Sequence, residues 1–219
     1  YLNKNEFLNI DDIMTDERAK LVKQGKRVYV IPAGGSSTLG IWGYIWFIDE
    51  LKKQIDFKKI YGIFSACGSG GTAAGLIVGA SVNKLKIKIY AVNVLFSKED
   101  IKKKILRLAE GAVLDYKLKC SINESNLEII DGYSTEGYKN ISDKKLKVIT
   151  EFARNTGILL DPAYTGKALC AYNDLILRKG KGKRVIFLHT GGIYGALPKR
   201  KEYSRFAWRY TNNFVLKIN

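Results

Sequence analysis

Residue types that often carry chemistry are scarce in this sequence of 219 residues, which has one histidine, one methionine, three cysteines and three prolines. His189 alone cannot build a histidine metal site or a histidine-based proton relay. Cys67, Cys120 and Cys170 lie far apart and follow no metal-ligand spacing. They indicate reduced thiols and predict a cytoplasmic protein without a bound metal. The sequence has no run of about 18 apolar residues, so no membrane contact is predicted.

Acidic residues are also few, at 21 against 37 lysines and arginines, giving a formal charge of +16. A strongly basic chain can indicate nucleic-acid binding. The lysines, however, are scattered among apolar residues, with no basic stripe interleaved with aromatics and no zinc-finger spacing. A lysine-biased proteome would produce the same composition. We therefore predict no nucleic-acid partner.

Strand and helix patterns alternate along the chain. Apolar, β-branched runs predict strands at 26–31, 60–66, 86–95, 126–130, 158–160 and 184–189. Helical spacing predicts helices at 40–54, from the glycine loop to about residue 82, and at 99–112, 142–156 and 166–178. This alternation predicts an α/β fold with a mainly parallel sheet and helices on both faces. Ligands of such sheets bind at the carboxyl ends of the strands.

The most informative segment is YGIFSACGSGGTAAGLIVG, at residues 61–79. An apolar strand pattern stops at Cys67, and glycines, Ser69 and Thr72 follow before a run of small helix-forming residues. Strand, glycine loop and helix together present main-chain N–H groups and a positive helix end to a phosphate. The loop lacks the lysine of a nucleotide-binding P-loop and the spacing of a dinucleotide fingerprint. It is thus typical of a small phosphorylated cofactor, although a plain tight turn fits the loop equally well.

Four segments in order resemble the D-cysteine desulfhydrase and 1-aminocyclopropane-1-carboxylate deaminase family of pyridoxal-phosphate enzymes, which are similar to the tryptophan synthase β subunit. These are IPAGGSSTLGIWGYI (31–45), ACGSGGTAAGL (66–76), GILLDPAYTGKAL (157–169) and VIFLHTGG (185–192). The resemblance implies a fold type II enzyme that uses pyridoxal 5'-phosphate as its cofactor. It further implies that residues 1–38 end a small domain and its crossover, and that residues 39–219 form the large cofactor-binding domain.

The resemblance implies a role for each of a set of residues. Those expected to bind the cofactor are Gly68, Ser69, Gly70, Gly71 and Thr72 around its phosphate, and Thr190 at its pyridine nitrogen. Tyr164 matches the tyrosine that lies over the substrate, and Tyr138 looks like a second active-site tyrosine. These two tyrosines are the expected catalytic residues of this chain.

Thr165 and Ser36 are expected to contact the substrate. Cyclopropane deaminases place a glutamate after the tyrosine, where Thr165 stands here. An uncharged residue suits α,β-elimination, so the resemblance implies conversion of D-cysteine to pyruvate, sulfide and ammonia. Two alternatives stay open: ring opening of 1-aminocyclopropane-1-carboxylate, and a non-catalytic domain that binds a phosphorylated ligand.

None of the lysines lies in a segment that matches the family's Schiff-base lysine, and the sequence does not begin with methionine. We therefore expect a longer parent protein, with that lysine N-terminal to these residues, and no turnover by this polypeptide alone. A targeting signal would be invisible for the same reason. The resemblance also implies a homodimer.

Other conspicuous residues have ordinary structural interpretations. Asp161 is as compatible with bracing a turn as with chemistry. His189 is interpreted as a strand-end residue bound by the main chain, and Cys67 as a small buried apolar residue. Lys167, close to Tyr164, is interpreted as a lysine on a helix surface.

Overall fold

Four parallel strands form a sheet in this computed structural model, which describes residues 3, 6, 9–138, 140–177 and 184–207. The strands are β1 (Gly62–Cys67), β2 (Lys88–Asn93), β3 (Leu127–Ile130) and β4 (Val185–Phe187), in the spatial order β3-β2-β1-β4. Every pairing is parallel. The carboxyl ends of the strands therefore meet at one edge of the sheet, and the predicted parallel α/β sheet is confirmed.

Helices follow and precede these strands. They are α1 (Ile10–Lys23), α2 (Trp42–Gln54), α3 (Gly71–Val82), α4 (Lys98–Asp115), α5 (Asp143–Thr156), α6 (Thr165–Tyr172), α7 (Ile193–Ala196) and α8 (Arg200–Ala207). Short 3-10 turns occur at Ala33–Gly35, Phe57–Lys59, Glu124–Asn126 and Leu197–Lys199, and a π-helical turn, Asn173–Leu177, continues α6. Gly157 ends α5 at φ 73°, as expected for a glycine cap.

The two faces of the sheet are covered by different helices. Ile63 of β1 belongs to the core that includes residues of α2, α3 and α4, whereas Phe64 packs on the opposite face with Ala168 of α6. Successive residues of a strand point to opposite faces, so β1 contributes to both cores. A third cluster, which includes Ile149 and Leu169, joins α5 to α6. Helices on both faces were predicted and are confirmed.

Glycines set the distance between α2 and α3. A Cβ atom on Gly75 would lie 2.6 Å from the carbonyl oxygen of Ile41, and one on Gly79 would lie 2.9 Å from that of Ile45. The helices can approach this closely only because α3 has no side chain at these positions. The small-residue run thus fixes the helix that follows the glycine loop.

Two predicted strands are wrong. Residues 26–31 are extended but pair with no strand in the described part of the chain, and Tyr29 and Ile31 are 70% and 69% exposed. Residues 158–160 form no ladder either, and the carbonyls of Leu159 and Leu160 are in contact with the side chains of His189 and Tyr203. An alternating apolar run indicates an extended chain, but it does not indicate whether a partner strand is present.

The helix predicted at 166–178 begins at Thr165 and continues to Leu177, and residue 178 lies outside the described residues. Helix α1 has no buried residue. The division at residue 38 into two domains stays a prediction. Among the described helices, none has the length and apolar character needed to cross a bilayer.

Candidate active site

A cavity of about 1230 Å³ lies at the carboxyl edge of the sheet. The loops after β1 and β4, the start of α6 and the segment after β3 all contribute to its lining. Eight of the ten predicted site residues line it: Gly68, Ser69, Gly70, Gly71, Thr72, Tyr138, Tyr164 and Thr190. Ser36 and Thr165 do not appear in the lining. The sheet topology therefore brings together residues that lie up to 122 positions apart (190 − 68).

Residues 68–72, which we call the glycine wall, form one side of the cavity. β1 ends at Cys67, Gly70 has the left-handed φ of 94°, and α3 begins at Gly71. The first N–H groups of a helix have no intrahelical acceptor, so those at the start of α3 are available to an anion. Ser69 and Thr72 add hydroxyl groups to the lining. This wall is built mainly from the main chain and carries no charged side chain.

Ser36 supports the glycine wall from behind. Its hydroxyl donates to Oγ of Ser69 over 2.6 Å, and its side chain is buried. A Cβ atom on Gly71 would lie 2.6 Å from Oγ of Ser36, so the two segments are in close contact. Contact of Ser36 with substrate is therefore not supported by this geometry. The hydroxyl of Ser36 instead orients Ser69.

Tyr138 and Tyr164 face the glycine wall and form, with the groups that hold them, what we call the tyrosine wall. Their hydroxyl oxygens are 2.6 Å apart, and their rings meet edge to face with centroids 5.4 Å apart. Burial, together with the hydrogen bond to Tyr138, raises the pKa of the Tyr164 phenol. The two walls touch at Gly68, where a Cβ atom would lie 2.8 Å from Cε1 of Tyr164.

Asp161 organises the turn that carries Tyr164. Its carboxylate accepts from the N–H groups of Ala163, Tyr164 and Thr165, each over 2.8 Å, and from the Thr165 hydroxyl over 2.7 Å. Asp161 and Thr165 are each only 1% exposed. The bracing interpretation of Asp161 is confirmed. The Thr165 side chain lies beneath the cavity, bound to Asp161, so its predicted contact with substrate is not supported.

Thr190 lies in the loop after β4 and faces the cavity beside two glycines. Gly192 has a φ of 96°, and a Cβ atom there would lie 2.7 Å from Oδ1 of Asp161. The glycine pair after β4 therefore lets this loop pack against the tyrosine turn. Gly191 and Gly192 belong to the segment 185–192 that resembles the family, but no site role was predicted for them, although a glycine pair directly after a strand signals a close approach.

His189 and Cys67 have the structural roles that were predicted. The His189 ring contacts the carbonyl of Leu159 over 3.2 Å and accepts from the Gly191 N–H over 2.9 Å. Burial raises the pKa of the Cys67 thiol to about 12, and the residue is 2% exposed. A thiol held protonated in this way is a poor nucleophile.

The prediction for Lys167 is wrong. The residue was predicted on a helix surface, yet it is 0% exposed. Its Nζ donates to the carbonyls of Gly137 and Tyr138 over 2.7 and 3.3 Å. Lys167 lies three residues after Tyr164 in a helix whose residues are buried from Thr165 to Ala171, and burial on all sides of a helix is not visible from the local sequence. No lysine lines the cavity among the residues that the structure describes.

An α/β domain whose glycine-rich strand–loop–helix faces two tyrosines across a cavity is a phosphate-binding domain suited to a small cofactor. The family model for the pyridoxal-phosphate dependent enzymes matches residues 8–191. The chain belongs to this family, and its fold is that of the fold type II enzymes.

The chain is similar to several curated proteins. It is 36% identical over 201 residues to a putative 1-aminocyclopropane-1-carboxylate deaminase of Thermotoga maritima, covering 91% of this chain and 63% of that protein. It is 33% identical over 207 residues to the mitochondrial bifunctional D-cysteine desulfhydrase/1-aminocyclopropane-1-carboxylate deaminase of Arabidopsis thaliana, covering 90% and 50%. The chain thus spans between half and two thirds of these relatives' length.

A solved structure shares the fold. The crystal structure of a 1-aminocyclopropane-1-carboxylate deaminase homologue superposes with a TM-score of 0.79 at 30% identity. The superposition covers 94% of this chain and 61% of that one. The predicted resemblance to this family is confirmed.

Pyridoxal phosphate is the cofactor of this family, and the residues present fit it. The glycine wall offers helix N–H groups and two hydroxyls, and no carboxylate belongs to it. A side chain on Gly68 would meet Tyr164, and one on Gly71 would meet Ser36. This wall is therefore a cradle that depends on glycine, as close approach of a phosphate to the main chain requires.

Proposed function

We propose that the protein containing this chain is a pyridoxal-phosphate-dependent lyase that acts on a small amino acid, with D-cysteine as the favoured substrate. The observation that supports this most is the cavity that brings the glycine wall within contact of two hydrogen-bonded tyrosines. Bound pyridoxal phosphate withdraws electrons from the α-carbon of an amino acid, so that a leaving group on the β-carbon can depart.

In this proposal the glycine wall holds the phosphate. Ser69, Gly70, Gly71 and Thr72 donate hydrogen bonds to it, and the positive end of α3 complements its charge. Ser36 fixes the Ser69 hydroxyl. The ring nitrogen is assigned to the Thr190 hydroxyl, a neutral partner, because no charged side chain among the described residues of the β4 loop lines the cavity.

The two tyrosines bind and orient the substrate in this proposal. The Tyr164 phenol is protonated at neutral pH, and burial raises its pKa further, so that Tyr164 can donate a hydrogen bond to a carboxylate or to a departing sulfur. Tyr138, 39% exposed, closes the same side toward solvent. The pair offers two hydroxyl groups at a fixed separation.

D-Cysteine and 1-aminocyclopropane-1-carboxylate are both compatible with the relatives' names. Thr165 favours D-cysteine, because the cyclopropane deaminases resembled by this sequence have glutamate there, whereas Thr165 is uncharged and bound to Asp161. The test is to assay the whole protein with both compounds. Release of sulfide and pyruvate from D-cysteine supports the proposal, and release of only 2-oxobutanoate and ammonia from the cyclopropane amino acid overturns the substrate assignment.

A further part of the proposal is that the catalytic lysine comes from outside these 219 residues, since none of their lysines lies in a segment that matches the family's Schiff-base lysine. The polypeptide alone should then bind pyridoxal phosphate reversibly and without turnover. Borohydride treatment followed by mass spectrometry should label no lysine of this chain but one in the whole protein. Labelling of a lysine within the 219 residues would contradict this part.

The phosphate cradle can be tested on this chain by equilibrium dialysis. Gly71→Ala places a Cβ atom 2.6 Å from Oγ of Ser36, which must move and release Ser69. We expect about tenfold weaker binding of pyridoxal phosphate, because the proposed hydrogen bond from the Ser69 hydroxyl to the phosphate is then lost. Binding of pyridoxal, which has no phosphate, should change little. The control is Gly43→Ala, on α2, where an added Cβ meets nothing within 4 Å. Equal binding of both compounds by the wild-type chain would refute the assigned cradle.

A further inference from the structure

Lys167 is the one lysine among the described residues whose side chain is fully buried. It lies on α6, and both of its hydrogen-bond acceptors are main-chain carbonyls, those of Gly137 and Tyr138. Burying an ammonium group is costly unless it is well hydrogen-bonded. Burial lowers the pKa of Lys167, and the nearby Glu136 and Asp161 act in the opposite direction. Hydrophobic packing alone would have been served better by an apolar side chain.

Residues 131–138, which we call the Tyr138 loop, have no regular secondary structure. Lys145 of α5 holds the first part of the loop, where its Nζ donates to the carbonyl of Tyr133 over 2.9 Å and pairs with Glu136 over 2.7 Å. Lys167 holds the last part, at Gly137 and at Tyr138 itself. The loop is therefore bound by two lysines from two helices, and they act on different segments of it.

Helix α6 thus places both tyrosines. Tyr164 precedes its first residue, and the carbonyl of Tyr164 accepts from the Ala168 N–H over 3.0 Å. Lys167, one residue earlier than Ala168, fixes the main chain that carries Tyr138. Helix α6 therefore contributes to the position of both hydroxyls, which lie 2.6 Å apart.

We propose that Lys167 is a positioning residue: its buried ammonium group holds the main chain at Gly137 and Tyr138, and thereby sets the Tyr138 hydroxyl against Tyr164 at the cavity. The structural part stands on the contacts alone. Its consequence for catalysis rests on the proposed function, in which the two tyrosines bind substrate.

The structural part is tested on the 219-residue chain by hydrogen exchange and by the ¹⁹F signal of 3-fluorotyrosine at Tyr138, assigned with Tyr138→Phe. Lys167→Met should speed amide exchange in the Tyr138 loop about tenfold or more and shift the fluorine signal, because charge-assisted hydrogen bonds are lost. Exchange in α3 should not change. The matched control is Lys147→Met on α5, whose side chain is 59% exposed.

An unchanged loop and an unchanged Tyr138 signal in folded Lys167→Met would overturn the proposal. Should that variant fail to fold, Lys167→Gln decides instead, since its neutral amide keeps a donor but is too short to reach both carbonyls. Faster exchange confined to the loop supports the proposal, and wild-type exchange overturns it. Lys167→Arg, which restores a charged donor, should recover at least part of the protection.

The catalytic consequence is tested in the whole protein by a double-mutant comparison. If Lys167 acts through Tyr138, Lys167→Met should lower kcat or raise KM in the same manner as Tyr138→Phe, and the double variant should be no worse than the worse single variant. Additive losses would show that Lys167 acts by another route. If the loop responds but neither substitution affects turnover, the proposed role of the tyrosines fails and the positioning contact remains.

Discussion

The glycine wall and the tyrosine wall face each other across one cavity, yet they are constructed on opposite principles. The glycine wall uses main-chain N–H groups and glycines between β1 and α3, with no charged side chain in residues 68–72. The tyrosine wall depends on buried charge, since Asp161 organises the turn of Tyr164 and Lys167 holds the main chain of Tyr138. A main-chain cradle requires only that side chains be absent, whereas two aligned phenols require specific partners.

This difference has consequences for how each wall responds to substitution and pH. Removing a partner from the tyrosine wall leaves buried polar groups without hydrogen bonds, which costs more than the bond itself contributed. Damage to the glycine side comes instead from adding atoms where two backbones are in contact. Titration should affect the tyrosine wall and leave the glycine wall unchanged.

The largest effect is expected at Asp161. Asp161→Ala removes the acceptor of four hydrogen bonds, from the N–H groups of Ala163, Tyr164 and Thr165 and from the Thr165 hydroxyl. All these groups would remain in a buried turn. We expect the free energy of unfolding to fall by about 3–5 kcal/mol, measured by urea denaturation.

Asp56→Ala is the matched control for this substitution. Asp56 also caps a short helical turn, but its side chain accepts a single bond, from the Lys58 N–H over 3.0 Å, at an exposed position. A loss of at most about 1 kcal/mol is expected there. If Asp161→Ala lowered the free energy of unfolding no more than Asp56→Ala does, the proposed contrast between the two walls would be wrong.

Behind the glycine wall, Gly75→Ala should destabilise the packing of α3 on α2. The new Cβ atom would lie 2.5 Å from Cβ of Tyr44 and 2.6 Å from the carbonyl oxygen of Ile41, so α2 and α3 must move apart. We expect a loss of about 1–3 kcal/mol in the free energy of unfolding. Gly43→Ala, with no atom near its Cβ, should instead be neutral or stabilising by up to about 1 kcal/mol. Equal effects at the two glycines would show that α2 and α3 are not in close contact.

The same difference explains what could be predicted from the sequence. The residues of the glycine wall are consecutive in the sequence. The strand, loop and helix at 60–82 were therefore predicted from local pattern, and they lie where expected. Helix α5 and the order of strands and helices were predicted for the same reason. Hydrophobic periodicity and turn residues are local signals, and they were sufficient for these elements.

What failed depended on contacts between distant residues. The segments 26–31 and 158–160 have strand-like composition, but pairing is decided by the rest of the fold. Lys167 was taken for a surface lysine because its acceptors lie 29 and 30 residues earlier, in a loop without a local pattern. The assignment of Ser36 and Thr165 to the substrate stays a prediction, and the hydroxyl of each is bound within the protein.

A smaller, pH-dependent effect is expected at Glu136. Burial acts to raise its pKa, but the hydrogen bond and charge of Lys145 outweigh it and hold the pKa below the ordinary 4.5. A lowered carboxyl pKa contributes stability that is present above pH 4.5 and is lost as the pH falls through the folded-state value. The free energy of unfolding of the wild type should exceed that of Glu136→Gln by about 1 kcal/mol near neutral pH, and by progressively less as the pH falls.

Unfolding of both proteins in urea across a pH series measures this difference. Glu151→Gln is the control, because Glu151 pairs with Lys147 over 3.9 Å and both side chains are more than half exposed. Its effect should be smaller and nearly independent of pH. If the difference in the free energy of unfolding between wild type and Glu136→Gln stayed constant down to strong acid, the ion pair of Glu136 with Lys145 would not be what stabilises the tyrosine wall.

The smallest effects concern reactivity, and the three cysteines can report on the two walls separately. Cys67 ends β1 beside the glycine wall and Cys170 lies on α6, and burial raises the pKa of each thiol to about 12. Cys120 is partly exposed, although burial raises its pKa too. Because only the thiolate reacts, iodoacetamide should label Cys120 first under native conditions, as followed by mass spectrometry. Lys167→Met should then leave the labelling of both Cys67 and Cys170 slow, since only the Tyr138 loop loses a partner. Faster labelling of Cys170 would mean that α6 itself opens, and faster labelling of both would mean that the two walls open together.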